Sequence, residues 1–455
     1  MSDIPVPPPP DCVRWGRQTE LALANFPISG ERVPGALIRA LARIKAEAAI
    51  VNRQCGALSP TIAAAIHRAA EEIAMGAMVD QFPVDVFQTG SGTSTNMNLN
   101  EVIAHRATEL GGETVHPNDH VNASQSSNDA FPSAIRIAAC SAITTGLIPA
   151  LESIGATLRA LSDRHEDTVK MARTHLMDAV PMTFGQEVSG WARGVQLGIE
   201  RLDTVLPRLG ELPLGGTAVG TGLNAPPGFG ALIVERLVLS TGLALTPAVN
   251  RFEAQSAQDA IVETSGVLKT IALTLHKLAG DIRLLGSGPQ GGLGEIHLKE
   301  LQAGSSIMPG KVNPVIAEVV QQVAAQVVGN DTTITFAATM STLQLNTAMP
   351  VMARSILSSI VLMTAAATQL DRACLRDIDV DVDQMLRYAR GSPAVATALI
   401  PTIGYDAAVN VVHAAETEHR TVPSATAATE FTDDDLLSMT RPHLAAPRAD
   451  GSKQV

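Results

Sequence analysis

Aromatic rings are scarce in this 455-residue chain: Phe, Trp and Tyr supply 3% of it, while hydrophobic residues make up 45%. A core so poor in rings must be filled by Ala, Leu, Val and Ile, and helix bundles pack such aliphatic side chains densely. Cysteine is rare too. The four present (Cys12, Cys55, Cys140 and Cys374) stand far apart with no paired spacing. That excludes a zinc-ribbon signature and a disulfide framework, and fits a reducing cytosol. They read as small apolar groups for burial. Positive charge is short: 33 Lys and Arg against 45 Asp and Glu leave a net charge of −12. Nucleic acid is thereby excluded as a partner, since phosphate binding needs a basic surface. A small anion needs only a local positive site. No uncharged apolar run of about 18 residues occurs, so no membrane span is expected. The opening MSDIPVPPPP has no basic stretch leading into an apolar one and is read as no signal peptide. Its prolines, Pro7 to Pro10, predict an extended tail, and the polar end from Pro447 on is expected to fray.

What is present is long-range helical periodicity. The length predicts two or three domains. The clearest helix is expected over 252–285, where Ile261, Leu268, Ile271, Leu275, Leu278, Ile282 and Leu285 form a heptad seam. Gly286-Ser287-Gly288-Pro289 ends it. Similar segments are expected over 132–162, 181–209, 314–329 and 346–370, several with proline at or before their start. Five long helices read as one elongated bundle. The expected organisation is all-α: an N-terminal helical domain over 1–130, a central bundle domain over 131–360 and a small helical domain over 361–455.

Between the helices lie four polar islands rich in small residues, and such loops carry function more often than the helices they join. The first, Thr89 to Asn98, offers hydroxyls, amides and free backbone N–H groups suited to a carboxylate; an ordinary capped turn is the alternative. The second runs from His116-Pro117-Asn118-Asp119 through Ser124-Gln125-Ser126-Ser127-Asn128-Asp129 and opens a helix whose amides attract anions. His116 with Asp119 raises a metal site, but only His120 stands near and no cysteine completes a ligand set. The third, Arg173 to Asp178, places His175 in a loop opening a helical stretch, as a candidate acid or base or as a structural histidine. The fourth, Gly304 to Pro314, holds Ser305, Ser306, Lys311 and Asn313 in a glycine-flanked loop. Such a loop suits a lid that closes on a small acid; a plain surface loop is the alternative. A P-loop fails because Val312 follows Lys311, and no Gly-x-Ser-x-Gly elbow supports a serine hydrolase.

GSSIMPGKVNP, Gly304 to Pro314, resembles the signature loop of the fumarase/aspartase superfamily. TGSGTSTNMNLNE, VHPNDHVNASQSSNDAFP, ARTHLMDAVPMTFGQE and LGGTAVGTGLNAP resemble the family's other active segments, in its order and spacing, over residues 16–405. The resemblance implies a three-domain helical subunit. The bundles of four subunits would form a homotetrameric core, each site would draw on three chains, and no metal or organic cofactor would be needed. Ser91, His116, Ser126-Ser127-Asn128 and Gly215-Gly216-Thr217 are similar to the fumarase branch, whereas Val315-Ile316 and Val319-Val320 look closer to aspartases.

The fumarase branch implies anti addition of water to fumarate, a small dicarboxylate, through an aci-carboxylate intermediate. It further implies Ser305 as the base at C3. Ser91, Thr93, Ser126, Ser127, Asn128 and Thr174 would bind the two carboxylates, with Ser306 beside them. Lys311 and Asn313 would hold the carboxylate that becomes the aci form. His175, paired with Glu318, would position the water, and His116, Asn118 and Asp119 would form a second dicarboxylate site. A cytoplasmic enzyme is expected. Two departures stand out. A proline-rich tail replaces the family's opening, and Leu21 in GRQTEL occupies the position of a family arginine. Glu113 stands near a position that is basic in some fumarases. The competing expectations are an aspartate ammonia-lyase, a paralogue acting on a fumarate derivative, and a catalytically silent helical scaffold.

Overall fold

A computed structural model describes residues 12–417, 422 and 432–441; both the proline-rich opening and the tail from Pro447 lie outside them. The chain is all-α and multidomain, and its strands, among the described residues, are confined to four two-stranded pieces. It divides into two compact units. Unit 1 comprises the chain up to Leu151, Leu197–His276 and Val320–Ala367; unit 2 comprises Glu152–Gln196, Lys277–Val319 and the chain from Thr368.

The opening helices are α1 (Arg17–Asn25), α2 (Gly35–Gln54), α3 (Pro60–Ala74) and α4 (Thr93–Gly111). Ser59 caps α3 by accepting from Ile62 N, and Pro60 sits where a missing N–H costs nothing. Glu101 of α4 caps α1 from outside: its carboxylate accepts from Gly16 N, Gln18 N and Thr19 N at 2.9, 2.9 and 3.2 Å. Leu21 lies on an exposed face of α1. Next come α5 (Ser127–Ala142) and α6 (Ile148–Arg164), joined through one wider, π-type turn at Ile143–Leu147.

A β-hairpin follows, β1 (Val169–Thr174) with β2 (Met177–Thr183), and then α7 (Phe184–Leu209) and α8 (Phe229–Thr241). The segment expected as one helix over 252–285 is two, α9 (Arg251–Ser256) and α10 (Asp259–Leu285). Gln258 breaks them apart with φ 62°, and its side chain donates to Gln255 O at 2.9 Å. All seven residues of the heptad seam on α10 are buried, 4% exposed or less. The remaining long helices are α11 (Val315–Ala338) and α12 (Met349–Ala373), followed by shorter helices including α13 (Val382–Gly391).

Two helical stretches, Ser127–Arg164 and Met349–Asp377, are long and apolar enough to cross a bilayer by length and composition, but 56% of the apolar window of each is buried in the protein. Cys140 and Cys374 are buried, which pushes both thiols up to about 12. Cys12 and Cys55 are exposed, so the expectation of burial fails for these two: each stands outside the packed helix faces that would have covered it.

Candidate active site

In unit 1 two helix N-termini meet. The Gly90–Gly92 turn that starts α4 is packed so closely that a Cβ on Gly90 would lie 1.9 Å from Thr347 O. Gly92 has φ 75°, in the left-handed region where glycine alone is unstrained, and a Cβ there would strike the Phe131 ring of α5 at 2.3 Å. This approach delivers the first hydroxyls of both helices to one place. Ser91 Oγ lies 2.8 Å from Thr93 Oγ1, which lies 2.7 Å from Ser127 Oγ. Ser126 caps α5 by accepting from Asn128 N at 3.1 Å, and Asn128 Nδ2 donates to Ala218 O at 2.9 Å. Hydroxyls gathered at two helix N-termini form a rim that favours an anion through both donors and helix dipoles.

Beneath the rim is Asp129, a wholly buried carboxylate. It accepts from Ser126 N at 2.9 Å and from Gly215 N and Thr217 N at 3.0 Å each, so it ties the start of α5 to the Gly215–Thr217 turn. Burial pushes this carboxyl up to about 6 against the pull of those N–H groups and of Lys45.

The second group of residues of unit 1 is exposed. His116 caps the Pro117–Val121 turn, its Nδ1 accepting from Asp119 N at 3.1 Å, and Asp119 Oδ2 lies 3.2 Å from the same nitrogen. Asn118 is exposed beside them. His116 N donates to His120 Nδ1 at 3.0 Å. No three His, Cys, Asp or Glu side chains gather into a metal-sized cluster among the described residues.

In unit 2 the expectation of a loop opening a helical stretch around His175 is corrected. Thr174 pairs with Met177 across the hairpin, leaving His175 and Leu176 as a two-residue turn with φ 57° and 62°. Both central residues at positive φ make the hairpin turn that matches strand twist. Asn-Gly or Asp-Gly usually announces such a turn, and His-Leu does not. Thr174 and His175 are therefore exposed at a hairpin tip, and α7 begins at Phe184 rather than at Pro181.

Buried charges hold β1 from Lys170 near its base to Arg173 beside the tip. Lys170 Nζ bonds Glu187 Oε2 at 2.5 Å and lies 3.2 Å from Glu295 Oε2, while Arg173 Nη2 donates to Glu295 Oε1 at 2.8 Å. Arg173 also stacks 5.2 Å over the Tyr388 ring of α13. Lys170 and Glu295 are almost fully buried, so this group joins the hairpin, α7 and the approach to the signature loop by paired charges.

The signature loop closes on its own neck. Asn313 Nδ2 donates to Gly304 O at 2.7 Å, and a Cβ on Gly304 would lie 2.0 Å from Lys311 O. Within it, Ser305 Oγ accepts from Ile307 N and Met308 N, each at 3.2 Å. Ser306 and Lys311 are exposed. Glu318, one turn into α11, faces Arg283 Nη2 at 3.8 Å. The chain thus gathers Ser91, Thr93, Ser126, Ser127 and Asn128 into one rim, and Ser305 with Asn313 into one loop. Among the described residues no hydrogen bond or ion pair joins His175 to Glu318, whose ion-pair partner is Arg283.

Sequence reasoning passed over Asp129, Lys45, Lys170 and Glu295 as site residues. Asp129 was legible as the fourth residue of Ser126-x-x-Asp, a capping-box pattern that the structure forms. The others gave no local signal, because their partners lie far along the chain.

A family model described as lyase matches residues 10–329. The class II fumarate hydratase of Mycobacterium tuberculosis (strain ATCC 25618 / H37Rv) is 53% identical over 409 residues, covering 90% of this chain and 86% of its own length. That of Pseudomonas putida is 45% identical over 450 residues, 97% of either chain. The crystal structure of recombinant class II fumarase from Schistosoma mansoni matches with a TM-score of 0.92 and 35% identity, covering 95% of this chain and 97% of that one. The chain belongs to the lyase family and, within the fumarase/aspartase superfamily, to the class II fumarases.

Proposed function

We propose that this chain is a fumarate hydratase that interconverts fumarate and L-malate by anti addition of water, without metal or organic cofactor, in the cytoplasm. The observation that supports it most is the setting of Ser305. Two backbone N–H groups point at its Oγ, and donors aimed at an oxygen favour its deprotonated form. In the dehydrating direction Ser305 takes the proton from C3 of malate, and the electron pair moves into the adjacent carboxylate to give the aci form. Lys311 and Asn313 hold that carboxylate as its charge rises, which is where preorganised donors lower the barrier. The C2 hydroxyl then takes a proton from His175 and leaves as the water that His175 positions. Ser91, Thr93, Ser126, Ser127, Asn128 and Thr174 bind the carboxylates, with Ser306 alongside. His116, Asn118 and Asp119 form a peripheral dicarboxylate site.

The same reading assigns an N-terminal domain to 1–130, a bundle domain to 131–360 and a C-terminal domain to 361–455, with the bundles assembling as a homotetramer. Exposed apolar residues on three long helices support assembly: Leu273 at 52%, Phe336 at 69% and Val361 at 61%. The hairpin tip does too, with Leu176 72% and Met177 70% exposed beside His175. In the assembly His175 pairs with a Glu318 from another subunit. Light scattering tests the state: a mass four times the 47.5 kDa subunit is expected, and a monomer overturns the assembly.

The activity is tested by loss of fumarate absorbance with and without ammonium. Loss without ammonium, with malate formed, is the expected result. Loss only with ammonium makes the enzyme an aspartate ammonia-lyase, and no loss in either points to a fumarate derivative or a silent scaffold.

A further inference from the structure

A lysine inside a helix bundle, remote from the substrate rim in sequence, requires a reason. Lys45 of α2 is wholly buried, and isolated ammonium groups do not stay in apolar interiors without partners. Its Nζ donates to Asn122 Oδ1 at 2.8 Å. That same oxygen receives Asn96 Nδ2 at 3.2 Å and Asn100 Nδ2 at 3.3 Å, both from α4. Asn122 Nδ2 in turn donates to Gln125 O at 3.3 Å. One half-buried amide therefore fastens α2 and α4 to the segment that ends in Ser126.

From the other side Asp129 fastens Ser126 to the Gly215–Thr217 turn by three backbone N–H bonds. That turn is strained. Thr217 is β-branched yet has φ 54°, and its buried hydroxyl has no partner among the described residues. Asp129 on its N–H, and Gln255 Nε2 on its carbonyl at 2.8 Å, hold it there.

We propose that Lys45 and Asp129 are a buried positioning pair for the carboxylate rim, Lys45 holding the Asn122–Ser126 segment and Asp129 holding the start of α5 and the strained turn. The inference rests on the reading of that rim as the dicarboxylate site. Neither group touches substrate. Their charges are opposite and each is the other's charged neighbour: burial lowers Lys45 to about 7 and Asp129 pulls it back up, while Lys45 pulls Asp129 down. The groups facing them from α4, from the 122–126 segment and from the Gly215–Thr217 turn are amides, hydroxyls and backbone. On α2 itself Glu47 is paired with Arg236 at 2.6 Å, and on α5 Arg136 is bonded to Ala254 O at 3.1 Å.

The pair makes a prediction that mere packing does not. Removing the Lys45 charge raises the pH at which Asp129 protonates, and a protonated Asp129 carries a hydrogen where it now accepts one. The test is Lys45→Met in the full-length protein, a near-isosteric change. KM is expected to rise about tenfold with kcat changed less than about threefold, and the acid limb of kcat/KM to move up by about half a pH unit or more.

Independently of turnover, amide exchange at Gly215 and Thr217, corrected for intrinsic rate, is expected to accelerate about tenfold at pH 6 and far less at pH 8. Wild-type protein that fails to hydrate fumarate refutes the proposed activity alone, and the exchange data then decide the pair. Unchanged exchange within twofold overturns the pair. So does an unmoved acid limb in a variant that remains active. Should Lys45→Met fail to fold, Asn122→Asp, which keeps an acceptor for Lys45 while adding a charge, is read the same way. It is expected to raise the pKa of Lys45 and to shift the acid limb; an unmoved limb and unchanged exchange contradict the pair.

Discussion

The two units present their candidate residues in opposite ways. In unit 1 the rim hydroxyls are bonded to one another and lie over buried Asp129, Lys45, Asn96 and Asn100 with half-buried Asn122, so their positions are set before any ligand arrives. In unit 2 the signature loop is exposed and bonded chiefly to itself, at Ser305 and at the Gly304–Asn313 neck. The His175 hairpin has its two-residue turn in solvent, while its first strand is pinned at Lys170 and Arg173 by Glu295. The difference teaches a division of labour. On the proposed mechanism binding falls to groups already bonded to one another, since preorganised donors cost little to arrange. Proton abstraction, on the same mechanism, falls to a loop bonded chiefly to itself, the kind of segment that can close over a substrate.

Replacing Ser305 by Ala should break the loop side alone. A turnover loss of about 10²–10⁴-fold is expected, with KM changed little and the thermal midpoint held; steady-state kinetics with a melt checks it, and retained turnover removes Ser305 as base. Lys170→Met separates pinned base from free tip. Truncating one member of a buried charge group costs about 3–5 kcal/mol, read as a lower denaturant midpoint at fixed protein concentration. An unchanged midpoint would show that Glu187 and Glu295 do not depend on it.

Thr93→Val probes the rim: losing one hydroxyl donor to a charged group costs about 1.5–3 kcal/mol. It should appear as a KM raised by about ten- to a hundredfold with kcat largely kept, and a loss confined to kcat would contradict a binding role. A pH dependence sharpens the floor. Because Lys45 is lowered from 10.5 to about 7 in the fold, the unfolded chain binds the extra proton between those values. Stability contributed by this site therefore rises with pH across that window and is flat below it. The stability difference between wild type and Lys45→Met should shift in favour of wild type from pH 7 to pH 9.5, and a constant difference would contradict a titrating Lys45.

Much of the scaffold was legible because it is periodic. The seam from Ile261 to Leu285 predicted α10 and the burial of each of its members. Breaks at single residues were not legible: Gln258 at positive φ divides α9 from α10 where the apolar pattern runs on. The hairpin bearing His175 was read as the approach to a helix, because its two-residue turn lacks glycine and Pro181 imitates a helix start.

At the site, the islands at Ser91, Ser126 and Ser305 were visible as polar, small-residue clusters between helices. The convergence of the first two at 2.7 Å, across Thr93 and Ser127, depends on Gly92 lying against Phe131, a contact between segments 39 residues apart in number. Long-range partners also hid Lys170, whose Glu295 is far downstream, and Lys45, whose Asn122 sits in another segment.

The most direct measurement is proton NMR of malate formed from fumarate by the wild-type enzyme in deuterated water. Anti addition with a single base on one face predicts one deuterium at C3, in one configuration, with no exchange into fumarate carbons. Malate with deuterium scrambled between both C3 positions, or no malate without added ammonium, would contradict the account.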